Sequence, residues 1–354
     1  MSASPLTVVP AVTLTPRADR GAGTVAEAPA AAVPAPPSRD FAVHVLHDNP
    51  EWIPPFRRAF EAEGVPLVEW PLGQGTLDLD AEPPRGVIWS RLSASSHTRG
   101  APLAKDAARS ITAWASSWGR RVVNGQPVAD LEVSKVLQHA ALRRAGLDVP
   151  RTVAVFGREG LVEAARALPA PFITKHNQGG KGLGVRRFDD HASFAAYVEG
   201  DGFEEAADGI TLLQELLIAA EPAITRAEFV GGEFVYAVRV DTSQGGFELC
   251  PAEACAVPGD GEAAEPMFRV RPEVTAQDPL IQQYRALLAE LGIEIAGIEY
   301  MTTLDGRTVT YDVNTNTNYN PDVEDAVEVS AARRIARHLG ALLRAEQEAA
   351  QPAG

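Results

Sequence analysis

Lys175 and the loop behind it carry the first chemical signal in the sequence. The lysine closes a short apolar run, and Gln178, Gly179, Gly180, Lys181, Gly182, Leu183 and Gly184 follow shortly after. Glycines lack a Cβ, so their backbone N–H groups can come close to phosphate oxygens. The spacing is neither GxxxxGK[ST] nor GxGxxG, and no helix is predicted to begin at the loop. Two common nucleotide fingerprints are thereby excluded. Taken alone, a flexible hairpin loop would read the same way.

Glu299, Asp312 and Asn314, with Asn316 just beyond, form a second group. Asp312 and Asn314 are two apart in a strand-like run, which puts both side chains on one face. If the run holding Glu299 pairs with it through the turn Leu304-Asp305-Gly306, Glu299 joins that face. Two carboxylates and an amide oxygen are hard ligands suited to Mg²⁺ that bridges phosphates. A solvated sheet face shows the same alternation. Two further features stand out. Gln214 and Glu215 interrupt the apolar run from Leu212 to Leu217, and Arg226 and Arg239 sit on neighbouring strand-like runs. The planar fork of arginine suits carboxylate or phosphate.

These residues need elements to hold them. Residues 41–47, 65–70, 86–92 and 121–125 read as strands, alternating with helices over 52–63 and 102–118. That alternation predicts a small parallel α/β unit. Arg91 ends its third strand, and Ser93, Ser95, Ser96, His97 and Arg99 follow in a polar loop. Such loops face the ligand crevice in α/β sheets, so these residues are candidate substrate contacts. A helix is expected over 131–145, with Val133, Val136, Leu137, Ala140 and Ala141 as its apolar stripe and Lys135 off it. From Thr152 onward the successive runs predict a largely antiparallel sheet, with Gly231-Gly232-Glu233 as a hairpin turn. Asp278 and Pro279 open a helix that buries Leu280, Tyr284, Leu287, Leu288 and Leu291. A final helix from Asp322 buries Ile335, Leu339, Leu342 and Leu343. Residues 245–277 resist assignment.

The chain has 354 residues, 45% of them hydrophobic, enough for two or three compact units. Its 47 acidic and 32 basic residues give a net charge of −15 with histidine neutral. That balance argues against a nucleic-acid partner, which would need clustered Lys and Arg, but leaves ATP open. Cys250 and Cys255 are too few for a disulfide framework and form no CxxC pair. No window of 18 apolar residues occurs, so no membrane span is expected. Pro5 and Pro10 interrupt the N-terminus, which has no basic stretch ahead of its apolar part. A signal peptide is therefore not expected, and a cytoplasmic location follows by default. Residues 1–39 are Ala/Pro-rich and are expected to form a disordered tail.

The order of these features resembles the ATP-grasp superfamily, most closely its RimK-type branch of carboxylate–amine ligases. The resemblance runs from about Phe41 to Leu343. It implies an α/β (α+β) ATP-grasp fold. A pre-ATP-grasp α/β domain would span 40–126, and two α+β subdomains, 127–210 and 211–350, would clamp ATP. By this resemblance Lys135, ahead of AGLDVPRT, and Lys175 contact the nucleotide phosphates, which the loop from Gln178 to Gly184 covers. Gln214, Glu215, Leu216 and Leu217 would form the adenine hinge, with Glu221 on the ribose. Arg226 and Arg239 would steady the reacting carboxylate, while Glu299, Asp312 and Asn314 would hold two Mg²⁺ ions.

The match has departures. The two carboxylates are exchanged in length, His176 replaces a proline, and Ser134 stands where an acidic residue is common. The run from Asn314 to Asn320 is unusually rich in amides. The implied reaction passes phosphate from ATP to a carboxylate; an amine then attacks the acyl phosphate, giving an amide, ADP and phosphate. The implied partners are a small-molecule or peptide carboxylate and an amine, with Asn316 among the substrate contacts, and dimers or tetramers are common in the family. A kinase-like phosphotransferase and a non-catalytic nucleotide-binding regulator are the alternatives. No general base is identifiable.

Overall fold

A computed structural model of the chain describes residues 40–180, 182, 184–243 and 266–351. The predicted tail, Lys181, both cysteines and much of 245–277 lie outside the described residues.

The first unit contains β1 (Ala42–His47), α1 (Pro54–Ala62), β2 (Leu67–Pro71), β3 (Gly86–Arg91), α2 (Ala104–Ser117) and β4 (Arg121–Val123). Its sheet is all parallel in the order β2-β1-β3-β4. β1 and β3 are buried along their whole length, as expected where both faces of a parallel sheet are covered.

α3 (Gln126–Glu132) and α4 (Lys135–Arg144) come next. The sequence predicts one helix here; the structure breaks it at Ser134. The backbone of Ser134 is extended, and its hydroxyl caps α4 by accepting from the Leu137 N–H at 3.3 Å. Of the predicted stripe only Val133 and Ala141 are buried. Gln138, His139, Ala141 and Leu142 face inward, whereas Leu137 is 48% exposed. Gln138 can be buried because its amide donates to the carbonyls of Leu131 (3.1 Å) and Val313 (2.9 Å). A polar residue thus occupies the inward face, which an apolar-stripe count overlooks.

β5 (Thr152–Phe156), α5 (Leu161–Ala165), β6 (Phe172–His176), β7 (Arg186–Phe188), α6 (His191–Glu199) and β8 (Ile210–Glu215) build a second sheet. It is antiparallel, in the order β5-β8-β6-β7. The third sheet holds β9 (Ala223–Val230), β10 (Glu233–Asp241), β11 (Phe268–Val270), β12 (Ile295–Thr302) and β13 (Thr308–Asn314), with α7 (Pro279–Leu291) against it. Its order is β11-β10-β9-β12-β13, again antiparallel. Gly231 and Gly232 both have positive φ, which the tight β9–β10 turn requires. On α7, Ile281 rather than Leu280 joins Tyr284, Leu287 and Leu288 inside, and Leu291 is only partly covered.

α8 (Pro321–Ala326) and α9 (Ala331–Ala349) replace the single helix predicted from Asp322. The Glu324 carboxylate accepts from the N–H groups of Ala331 (2.9 Å) and Ala332 (3.1 Å), and Ser330 caps α9. α9 then lays Ile335, Leu339 and Leu343 into the core that Val43, Phe56 and Trp89 form around the first sheet.

Candidate nucleotide and substrate cleft

The pairing of β9, β12 and β13 sets Arg226, Glu299 and Asp312 in one cross-strand row, with Asn314 opposite Gly297. The β12–β13 register slips between Glu299 and Tyr300 and leaves Tyr311 as an extra residue. Such a bulge re-aims side chains, and here Tyr311 and Asp312 both line one cleft of about 690 Å³. Lys175 and Gln214, from the second sheet, form part of the opposing wall.

Most of the charges in this cleft are paired, whereas Lys175 has no ion-pair partner among the described residues. Lys135 Nζ donates to Asp312 Oδ1 at 2.6 Å, and Asn314 Nδ2 donates to Glu299 Oε1 at 3.3 Å. Arg226 Nη1 lies 3.5 Å from the same Glu299 oxygen. Lys175 Nζ sits 5.3 Å from the centre of the Tyr311 ring. Burial, reinforced by the neighbouring Lys135 charge, pulls the Lys175 ammonium down to about 8. Burial pushes Asp312 up, but Lys135 outweighs it and holds the carboxyl below its ordinary value. Glu299 is raised by burial and by Asp312, against the pull of Arg226.

A second layer supports the row. Arg226 Nε stands 2.7 Å from Glu228 Oε1, and the Thr317 hydroxyl bonds Arg226 and donates to Glu228 at 2.9 Å. Glu132, which lines the cleft, accepts from the N–H (2.7 Å) and hydroxyl (2.8 Å) of Thr315. Burial raises its carboxyl to about 7 even so.

Gly179, Gly180 and Gly182 line the cleft, while Gln178 turns to accept from Lys105 Nζ at 3.2 Å. Gly184, at φ 71°, lies against the His176 ring: a Cβ there would fall 2.4 Å from it. Gln214, Leu216, Leu217 and Glu221 line the cleft, with Gln214 Oε1 buried and unpartnered. The Glu215 side chain is held elsewhere, accepting from the Arg151 N–H at 2.9 Å and pairing with Arg307 at 3.4 Å. Glu221 pairs with Arg271 and with Arg239.

Arg239 does not share the face of Arg226. An irregularity between Phe234 and Tyr236 sets Arg226 opposite Val238 and Arg239 opposite Thr225. One extra residue inverts strand parity. Arg239 therefore pairs with Asp241 at 3.0 Å and is absent from the cleft lining.

The loop after β3 also divides. Ser93, Ser95 and Asn316 line the cleft, but Arg91, Ser96, His97 and Arg99 do not. Arg91 lies 4.1 Å over the Phe56 ring and donates to the Thr317 carbonyl and Asn318 Oδ1, each at 2.8 Å. Arg99 is neutralised by Asp48 at 2.5 Å.

Sequence reasoning passed over Glu132, Glu228, Tyr311 and Asn177. Asn177 receives the Val136 N–H at 2.9 Å and so ties the glycine loop to the start of α4. Glu228, two residues from Arg226 on a strand, was legible by parity alone; the other three depend on long-range contacts.

The arrangement of these sheets has precedents among solved structures. A RimK domain ATP-grasp protein from Sphaerobacter thermophilus superposes with a TM-score of 0.59 at 19% identity, covering 84% of this chain and 98% of that one. The ATP-grasp ligase PsnB, complexed with minimal precursor, Mg and ADP, gives 0.58 at 17%, over 86% and 98%. The D-alanine–D-alanine ligase of Bacillus anthracis, complexed with ATP, gives 0.58 at 14%, over 88% and 100%. The chain has the ATP-grasp fold. No protein-family model and no curated protein matches the sequence. Residues of both antiparallel sheets line the cleft. No helix among the described residues is long and apolar enough to cross a membrane.

Proposed function

We propose that this protein is a cytoplasmic, ATP-dependent carboxylate–amine ligase of the RimK type. The observation that carries this reading is the cleft itself, which brings Lys135, Lys175 and glycine backbone together with Glu299, Asp312, Asn314 and Arg226. Phosphoryl transfer asks a protein for position and charge neutralisation more than for covalent chemistry. Lys135, Lys175 and the N–H groups of Gly179, Gly180 and Gly182 would bind the phosphates. Gln214, Leu216 and Leu217 would take the adenine, with the unpartnered Gln214 Oε1 ready to accept from its amine.

Among the described residues, no group of three or more His, Cys, Asp or Glu could hold a metal. The donor set here is two carboxylates and the Asn314 amide oxygen, all hard oxygens, and it fits Mg²⁺. Glu299, Asp312 and Asn314 would hold two Mg²⁺ ions, which when bound would neutralise phosphate charge. Lys135 must leave Asp312 to reach a phosphate. Arg226 has its Nε and Nη2 engaged by Glu228 and Thr317, and its Nη1 reaches Glu299 at 3.5 Å in the cleft. It would steady the substrate carboxylate and the charge that builds on an acyl phosphate. The acid and the amine are small molecules or peptides.

The test is phosphate release from ATP over a panel of acids and amines, with product mass. Release should require both partners and yield an amide, and Asp312→Ala or Asn314→Ala should abolish it. A stable phosphorylated product would instead favour a kinase-like enzyme.

A further inference from the structure

Among the described residues, the carboxylates lining the cleft are Glu132, Glu221, Glu299 and Asp312, and no histidine joins them. Glu221 pairs with Arg239 and Arg271, Asp312 pairs with Lys135, and Glu299 lies 3.5 Å from Arg226. Glu132 differs. Among the described residues it has no ion-pair partner, and the groups that donate to it are neutral. Its Oε2 accepts the N–H (2.7 Å) and hydroxyl (2.8 Å) of Thr315, while Oε1 accepts only the Ala94 N–H, at 3.4 Å. One oxygen is anchored and the other has capacity left. A buried carboxylate in that state favours a proton or a cationic ligand.

Its place in the cleft matches that need. Thr315 and Thr317 stand two residues apart on the loop after β13, so their Cα atoms are at most about 7 Å apart. The Thr315 hydroxyl donates to Glu132, and the Thr317 hydroxyl bonds Arg226, the residue proposed to steady the acyl phosphate. Ser93 and Ser95, on either side of Ala94 in the chain, add neutral hydroxyls to the lining. The charges that Glu132 feels come from three elements. Asp312 of β13 repels it, while Lys135 of α4 and Arg91 of β3 interact with it at longer range and bond elsewhere. Burial, with Asp312 adding to it, lifts the carboxyl to about 7 against the bonds from Thr315.

We propose that Glu132 is the general base for the amine substrate, holding its ammonium at Oε1 and taking the proton that blocks its lone pair. This rests on the ligase reading. Glu132 removes one proton from the ammonium, the freed lone pair forms the C–N bond at the acyl carbon, and the C–O bond to phosphate breaks. The phosphate leaves with the second N–H proton as hydrogen phosphate, and Glu132 returns its own proton to water.

The experiment sets two nucleophiles against each other. Hydroxylamine is largely unprotonated near neutral pH and needs no base, whereas an alkylamine is held as its ammonium. With ATP, Mg²⁺ and the acids of the panel, Glu132→Gln should lose about a hundredfold or more in amide formation with the alkylamine that turns over fastest. It should keep hydroxamate formation to within about threefold and lose the acidic limb of the kcat/KM profile. Gln retains an oxygen to accept from Thr315, so a merely structural role predicts equal effects on both nucleophiles. Equal losses, or an undiminished amide rate, would overturn the proposal. Carboxyl-labelled glutamate, with the Glu132 signal assigned by its loss in Glu132→Asp, should show an NMR midpoint near 7 in the nucleotide-free protein. A midpoint below about 5 would overturn the proposal even where the Gln variant fails to fold. If no acid yields a hydroxamate with the unaltered protein, the ligase reading falls and the base with it; hydroxamate formation with no special loss of amide in the variant removes the base alone.

Discussion

Replacing Arg226 by Met tests how the cleft holds its charge. Arg226 is buried between Glu228, 2.7 Å from its Nε, and Glu299, 3.5 Å from its Nη1. Glu228 is itself only 2% exposed. Each attraction is worth about 4 kcal/mol near 4 Å at an effective dielectric of about 20. Desolvation offsets much of that while the pair is intact. Removing one partner exposes the full penalty, typically about 3–5 kcal/mol. Arg226→Met should therefore destabilise the fold by that amount at about pH 7.5, read by urea unfolding followed by circular dichroism.

The loss should shrink as pH falls. Burial already raises Glu228 and Glu299, and Arg226 is what pulls them back. Without it both climb further, so the native state takes up protons that the unfolded chain does not. Stability of the variant should then recover as pH drops through those raised values toward about 5. Arg226→Met/Glu228→Gln should cost less than Arg226→Met alone, because one uncompensated charge is gone. A loss below about 1 kcal/mol, or strict additivity in the double variant, would refute the account of Arg226 as the counter-charge of two buried carboxylates.

Three further outcomes follow from the geometry. Lys175 titrates at about 8 in the nucleotide-free cleft, so ADP should bind roughly tenfold more weakly at about pH 9 than at about pH 7. Calorimetry in two buffers of different ionisation enthalpy should show proton uptake on binding above pH 8, and a pH-independent affinity would contradict it. Gly297→Ala would place a Cβ 2.6 Å from Arg226 Nε and 2.9 Å from Glu228 Oε2. It should cost about 1–3 kcal/mol in stability, and turnover as well, because Arg226 must shift. Arg239→Ala should keep kcat within about threefold, whereas Arg226→Lys should lose roughly a hundredfold or more; equal losses would return Arg239 to the site.

The residues proposed for phosphate and metal chemistry could be grouped from the sequence where a local rule governs their placement. Asp312 and Asn314 share a face by strand period, and the turn at Asp305-Gly306 brings Glu299 to them. The antiparallel second half, the parallel first half and the ATP-grasp order were readable for the same reason. Arg239 was misplaced because its side depends on one extra residue near Val235, and bulges leave little trace in composition. Leu137 was misplaced because Gln138 and His139 take the inward face of α4 through long-range bonds to Val313 and Tyr311. Arg91 looked like a cleft residue because it ends a strand, yet its guanidinium lies over Phe56.

α9 adds a consequence in time. The first sheet is covered on one side by Ala332, Ile335, Leu339 and Leu343 of that helix. β3 ends at Arg91 and α9 begins at Ala331, so a ribosome must make nearly all the intervening chain before that covering exists. Until then Val43, Val45 and Trp89 form an apolar face that only α1 covers, through Phe56 and Phe60. The nascent sheet must be shielded by other means, since transiently exposed apolar surface is where long chains go astray. For the same reason residues 40–126, expressed alone, would be a sheet lacking part of its core. The stretch that looks most like a separable domain is the one whose completion waits longest.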